Sequence, residues 1–217
     1  MKILVVSIFS QHFFNWILQL KNTKHEIYWI DVFDSNTYVH KIDFVGQKVK
    51  WKYKWDYPGR QTVKKHFPSL NSHINRFNER NFFDVFNKVV EKFQPDVIQS
   101  FELHSGCSSI IDFMEKRKDL KWIYSAWGND LFYYKNEANK LKNIKRVLKR
   151  LDYMFADCSR DYKIASDLGF NGYYLGTFPG GGGYDLAYTN PMVLDFNEKK
   201  TILIKGYEHN LGGALTY

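Results

Sequence analysis

Cysteine is nearly absent from this 217-residue chain. Its two thiols, Cys107 and Cys158, cannot build a multi-disulfide scaffold, and they read as reduced side chains of a cytosolic protein. No apolar run approaches the ~18 residues that a membrane-spanning helix needs, which argues against an integral helical membrane protein. The opening Met1-Lys2-Ile3-Leu4-Val5-Val6 reads directly as a strand rather than as a secretory leader. Glycine is missing from Phe9-Ser10-Gln11-His12-Phe13, the loop after that strand, so the Gly-x-Gly-x-x-Gly turn of a nicotinamide-dependent oxidoreductase is not there. No Lys-Ser/Thr pair follows the glycines 180–183, which therefore form no P-loop and read better as a hinge. RNP, KH and helix-turn-helix patterns are lacking too, although a basic, aromatic-rich nucleic-acid-binding module remains the alternative that composition allows.

What the chain does have is charge and rings. Its 31 Lys and Arg face 23 Asp and Glu, for a net charge of +8, and aromatic residues make up 18% of it. A hydrophobic fraction of 44% excludes wholesale disorder, while the basicity suggests an anionic partner. Short β-branched or aromatic runs (Lys2 to Ile8, Ile27 to Ile30, Asp96 to Ile98, Trp122 to Tyr124, Tyr153 to Ala156) read as strands. Helical stretches are expected around 12–20, 70–93, 105–118, 135–151 and 159–168. Strand alternating with helix predicts an α/β domain with a doubly wound, mostly parallel sheet. Four consecutive glycines carry a large entropy cost inside any element, so this domain is expected to span 1–183. Residues 184–200 have no clear period and read as a linker. A new βα unit is expected to begin at 201–217 and to break off, as in a fragment cut just inside a second domain.

In a parallel sheet, ligands sit beyond the carboxyl ends of the strands. Three turns there carry polar groups. Glu102 and His104 follow one strand and suit acid/base or polar binding work. Trp127-Gly128-Asn129-Asp130 follows the next, where Asp130 could accept from a sugar hydroxyl or simply cap a helix. Ser10, Gln11 and His12 close the first strand and would line the same rim. Two stretches look suited to a surface. From Lys48 to Tyr57, aromatic and charged residues alternate with period two, so Trp51, Tyr53 and Trp55 would share one face and Lys50, Lys52 and Lys54 the other. That ribbon fits an anionic membrane interface, or equally a core strand with a solvated lysine face. The 135–151 helix pairs an apolar stripe with seven Lys and Arg residues opposed only by Glu137, a basic amphipathic pattern.

Three stretches carry a family resemblance: Pro95 to Glu102, Ser125 to Leu131, and the run from Ala156-Asp157-Cys158-Ser159 through Leu168-Gly169-Phe170 to Pro179-Gly180. With the closing Ile202-Leu203-Ile204-Lys205-Gly206-Tyr207, they make the sequence similar to the N-terminal half of a GT-B glycosyltransferase, most like the retaining enzymes of glycosyltransferase family four. The resemblance implies a Rossmann-like acceptor-binding domain, one half of the GT-B fold, whose donor is a nucleotide sugar and which needs no other cofactor or metal. A hexosyl transfer to a glycan or lipid-linked acceptor is implied, in bacterial surface polysaccharide synthesis, with the enzyme peripheral at the inner face of the membrane and no nucleic-acid partner. Catalytic candidates are then Glu102, His104 and Asp130; acceptor-binding candidates are Ser10, Gln11, His12, Trp127, Gly128 and Asn129. Lys205 and Gly206 fall at the start of the donor-binding domain. Family members often carry a histidine where this chain has Trp127, and Tyr207 stands where a phosphate-gripping arginine is expected. Transfer would therefore need the missing C-terminal domain, and this chain alone is expected to be inactive.

Overall fold

A computed structural model describes residues 1–181, 186–193, 195–198 and 200–201. The chain divides into two compact units, Met1–Gly182 and Gly183–Tyr217. The first is built on a seven-stranded, all-parallel sheet: β1 (Lys2–Ser7), β2 (Glu26–Asp31), β3 (Gly46–Lys48), β4 (Val97–Phe101), β5 (Lys121–Ser125), β6 (Tyr153–Ala156) and β7 (Tyr173–Thr177). Their order is β3-β2-β1-β4-β5-β6-β7. This is the doubly wound, Rossmann-like α/β sheet that the alternating pattern predicts.

Apolar residues on both faces hold the sheet, as a parallel sheet requires. On one face Val5, Trp29 and Phe101 pack against Phe13, Phe14 and Ile17 of α1 (Gln11–Leu18). On the other, Leu4, Ile98, Trp122 and Met154 pack under α4 (Phe82–Phe93), α5 (Ile111–Lys116), α7 (Ala138–Arg150) and α8 (Ser159–Asp167). Over β5 to β7 the α1 face is thinner, because strand alternation turns Ile123, Tyr153 and Phe155 toward it and all three are half-buried.

Several expectations need correction. The helix expected over 70–93 is two helices, α3 (Pro68–Asn78) and α4, parted at Glu79, Arg80 and Asn81 and preceded by α2 (Arg60–His66). The two edge strands, β3 and β7, were not among the expected strands. The 48–57 ribbon is not a strand beyond Lys48. Lys50 adopts a left-handed φ of 56°, and the carboxylate of Asp34 accepts from the backbone N–H of Lys50 (2.8 Å) and Lys52 (2.6 Å). Those bonds divert the alternate amides that a neighbouring strand would have needed.

No common aromatic face results. Trp51 is 4% exposed in the core, and its indole N–H donates to the Asp31 carbonyl at 2.8 Å. Tyr53 is half-buried under the Arg60 guanidinium, 4.0 Å from its ring centre. Only Trp55 stands out in solvent. On the lysine side, Lys52 pairs with Glu79 and Lys54 donates to the Phe77 carbonyl. The apolar stripe of α7 is likewise core, with Ile144, Val147 and Leu148 buried. Its basic face is partly neutralised, since Arg146 binds Asp112 and Glu115 of α5.

In the second unit, the stretch expected as a linker contains a short helix, α9 (Leu186–Thr189), and two 3-10 turns, Asn190–Met192 and Phe196–Glu198. Lys205 and Gly206, and all of 201–217 except Thr201, lie outside the described residues.

Candidate functional site

The chain leaves β4 through a turn that its own carboxylates hold in shape. Glu102 takes a left-handed φ of 62°, costly for a residue with a Cβ, and its carboxylate accepts from the backbone N–H groups of His104 (2.8 Å) and Ser105. A π-helical turn, Glu102–Cys107, follows, with the wide i to i+5 bond from Ser108 N–H to the Leu103 carbonyl at 2.9 Å. Such turns are rare and often mark functional sites. Gly106 is obligatory in it: a Cβ there would stand 2.2 Å from the Phe101 carbonyl oxygen.

Asp130, the second residue of α6 (Asn129–Phe132), anchors that turn to the end of β5. Its Oδ2 accepts from Leu103 N–H (2.9 Å) and the Tyr124 hydroxyl (2.6 Å), and its Oδ1 from Trp127 N–H (3.2 Å). It is 2% exposed, and burial pushes its carboxyl from the usual 3.8 to about 7, the hydrogen bonds opposing that rise. The same burial drives the Tyr124 hydroxyl well above its ordinary value.

His104 completes the cluster. Its Nε2 lies 3.0 Å from the Asp130 carbonyl, which can only accept, so Nε2 carries the proton and Nδ1 is the acceptor of the neutral ring. Burial lowers its pKa, against the nearby Glu102 carboxylate, which raises it. The ring meets Tyr134 edge-on at 4.3 Å.

The three expected catalytic residues thus meet at one sheet edge but divide by role. Asp130 is sealed and Glu102 is bound to backbone amides, so both position the turn. His104, half-exposed with Nδ1 uncommitted, is the one fitted to meet a ligand.

A second locus lies beside it. A cavity of about 230 Å³ opens at the carboxyl ends of β5, β6 and β7, walled by Trp16, Phe101, Trp127, Phe155 and Phe178. Asp157 supplies its carboxyl group. That side chain is half-buried and raised in pKa, first by desolvation and also by Asp161, while the Gly180 backbone N–H and His12 pull it down. A Cβ at Gly180 would come within 2.5 Å of Asp157 Oδ1, so a side chain there would displace the carboxylate that the loop crosses. Asp161, fully buried, accepts from Arg160 and the Cys158 thiol.

Of the expected acceptor-binding residues, His12 and Trp127 face each other across this rim, with ring centres 6.2 Å apart. Ser10 is spent as the N-cap of α1, its Oγ accepting from Phe13 N–H at 3.2 Å. Gln11 turns to Asn15 on its own helix, and Asn129 is exposed at the start of α6. Gly128 has a φ of 75°, which permits the tight exit from β5, and a Cβ there would stand 3.6 Å from Asp161 Oδ2. Asp157 is the residue that sequence reasoning did not select, although it follows the last apolar residue of β6 as directly as Glu102 follows β4. Among the described residues, no three His, Cys, Asp or Glu side chains are grouped to hold a metal ion, and no helix is long and apolar enough to cross a membrane. No family model matches the chain, and no curated protein matches it.

Proposed function

We propose that the carboxyl edge of this sheet binds a carbohydrate, as the acceptor-holding half of a glycosyltransferase that uses a nucleotide sugar. The observation that carries this reading is the aromatic-walled cavity with one desolvated carboxyl group, Asp157, at its polar end. Sugar rings offer apolar C–H faces and a rim of hydroxyls. Aromatic walls suit the first, and a carboxyl group that accepts hydrogen bonds suits the second. His104 stands at the neighbouring strand end as a neutral imidazole whose Nδ1 can accept from a hydroxyl. A transferase also has to orient the acceptor hydroxyl, and rigid strand ends are good mounts for that task. Donor binding, transfer itself and any inner-membrane acceptor belong to this proposal.

Saturation-transfer NMR with a panel of neutral oligosaccharides tests it. Saturation should reach sugar C–H protons in the chain as it stands, and fall several-fold in Trp127→Ala and in Asp157→Ala while the fold persists. If no saccharide receives saturation, or if both variants behave as the parent does, the carbohydrate reading is wrong.

A further inference from the structure

A larger groove lies away from the carboxyl-edge cavity, between α4 and strands β2 and β3. Its volume is about 1040 Å³. It begins near Lys50, Arg80 and Asn81 at the carboxyl edge and ends near Lys2, Lys92 and Phe93 at the amino edge. Strands of this length extend ~20 Å, so the groove offers a track rather than a pit. Seven cationic side chains and three carboxylates line it.

Much of that charge is already committed. Lys2 pairs with Glu26 at 3.9 Å, Lys54 donates to the Phe77 carbonyl, and Arg80 spans the carbonyls of Trp51 (2.9 Å) and Tyr53 (2.7 Å). Glu79 is held by Lys52 from outside the groove. Among the described residues, Lys48, Lys50, Lys88 and Lys92 make no side-chain hydrogen bond or ion pair. Four unneutralised ammonium groups therefore share one concave track.

The shape and lining select among anions. A bilayer is planar and cannot enter a groove, and the tryptophan that would have anchored one, Trp51, is buried. Single-stranded nucleic acid wants exposed rings on which to stack its bases. Here Trp51 and Phe93 are buried, Tyr28 leans on Phe93 with ring centres 5.4 Å apart, and the only arginine is spent on carbonyls. Lysines interspersed with Glu26 and Asp84 suit a chain that carries both spaced negative charges and hydroxyls. The ammonium groups take the charges and the carboxylates accept from the hydroxyls. We propose that this groove binds a linear acidic polysaccharide, a polymer of uronate type. The proposal is independent of what the carboxyl-edge cavity holds.

Fluorescence anisotropy with a labelled oligogalacturonate provides the test. Four released counterions predict a log–log slope of about −3 against salt, a loss of roughly 50-fold between about 50 and 200 mM. The fourfold variant Lys48→Gln, Lys50→Gln, Lys88→Gln, Lys92→Gln should bind more than tenfold more weakly and with a flatter slope. A control with the same loss of charge on other faces, Lys142→Gln, Lys145→Gln, Lys149→Gln, Lys163→Gln, should keep most of the affinity. Equal losses in the two variants would assign binding to net charge and overturn the groove. Tighter binding of oligothymidylate or of anionic vesicles than of oligogalacturonate would overturn the choice of ligand, as would no binding at all. Single Lys→Gln variants serve if the fourfold variant fails to fold.

Discussion

Replacing Asp130 with asparagine separates the charge of the buried carboxyl group from its shape. In the parent, burial raises the carboxyl to about 7 from the usual 3.8, so the folded state holds a proton that the unfolded chain has already released. A group with its folded pKa raised stabilises the fold while protonated, and that stability drains away as pH climbs toward the folded value. Worked through the two values, the loss is about 2.5 kcal/mol between pH 5 and pH 8, most of it before pH 7. Asparagine cannot titrate. It can still accept from Leu103 N–H and the Tyr124 hydroxyl through its oxygen, but its amide nitrogen would face Trp127 N–H, donor against donor. Asp130→Asn should therefore be less stable than the parent at pH 5 by about 1–3 kcal/mol, the cost of one orphaned buried donor. As pH rises the gap should close, and the two curves should meet or cross near neutrality. His104 works in the opposite sense: its lowered pKa adds stability that is lost as pH falls through the usual 6.5 and below. Its contribution largely cancels in the difference, because the substitution keeps the backbone carbonyl that His104 Nε2 meets. Urea denaturation of both proteins at several pH values gives the difference directly. A gap that stays constant or widens with rising pH would refute the assignment of a titrating, buried Asp130.

Two substitutions probe the supports of the site. Gly106→Ala would drive a Cβ into the Phe101 carbonyl and force the π-helical turn open; it should cost about 1–3 kcal/mol in chemical denaturation and shift the His104 ring resonances. Arg150, 6% exposed, donates to the carbonyls of Met114, Arg117 and Leu120 and to Asp152, so Arg150→Met should lose about 3–5 kcal/mol. Arg150→Lys should recover only a fraction of that loss, since one ammonium group cannot span the same carbonyls.

The legible parts of the fold were those written as apolar runs. β1, β2, β4, β5 and β6 are buried on at least one face, so their sequences had to be continuous or alternating hydrophobes. β3 and β7 escaped because they are edges: β3 is three half-buried residues, and β7 carries Gly176 and an exposed Tyr173. The 48–57 alternation failed for a different reason. Asp34, fourteen or more residues upstream, takes the amides of Lys50 and Lys52, and nothing local in 48–57 announces that competitor. At the site, Glu102, His104 and Asp130 could be found as polar residues at strand ends, and the structure brings them together. Their division of labour could not be read, because burial decides it. Asp130 and Asp157 look alike in sequence, yet one is sealed beneath a turn and the other opens onto a cavity.

The order of the sheet also has a kinetic consequence. Lys2 meets Glu26 across the β1–β2 boundary, and each boundary from β4 to β7 likewise joins successive strands. The β1–β4 boundary is different, for it pairs Ile3 with Val97 across four intervening α-helices and the strands β2 and β3. A loop about four times longer adds roughly 1.2 kcal/mol of closure entropy, and non-local pairings slow folding. Two halves, each assembled from near neighbours along the chain, must therefore find one another at a single seam. Hydrogen exchange across that seam, between Ile3 to Val6 and Val97 to Ser100, reports on the step at which the two become one sheet.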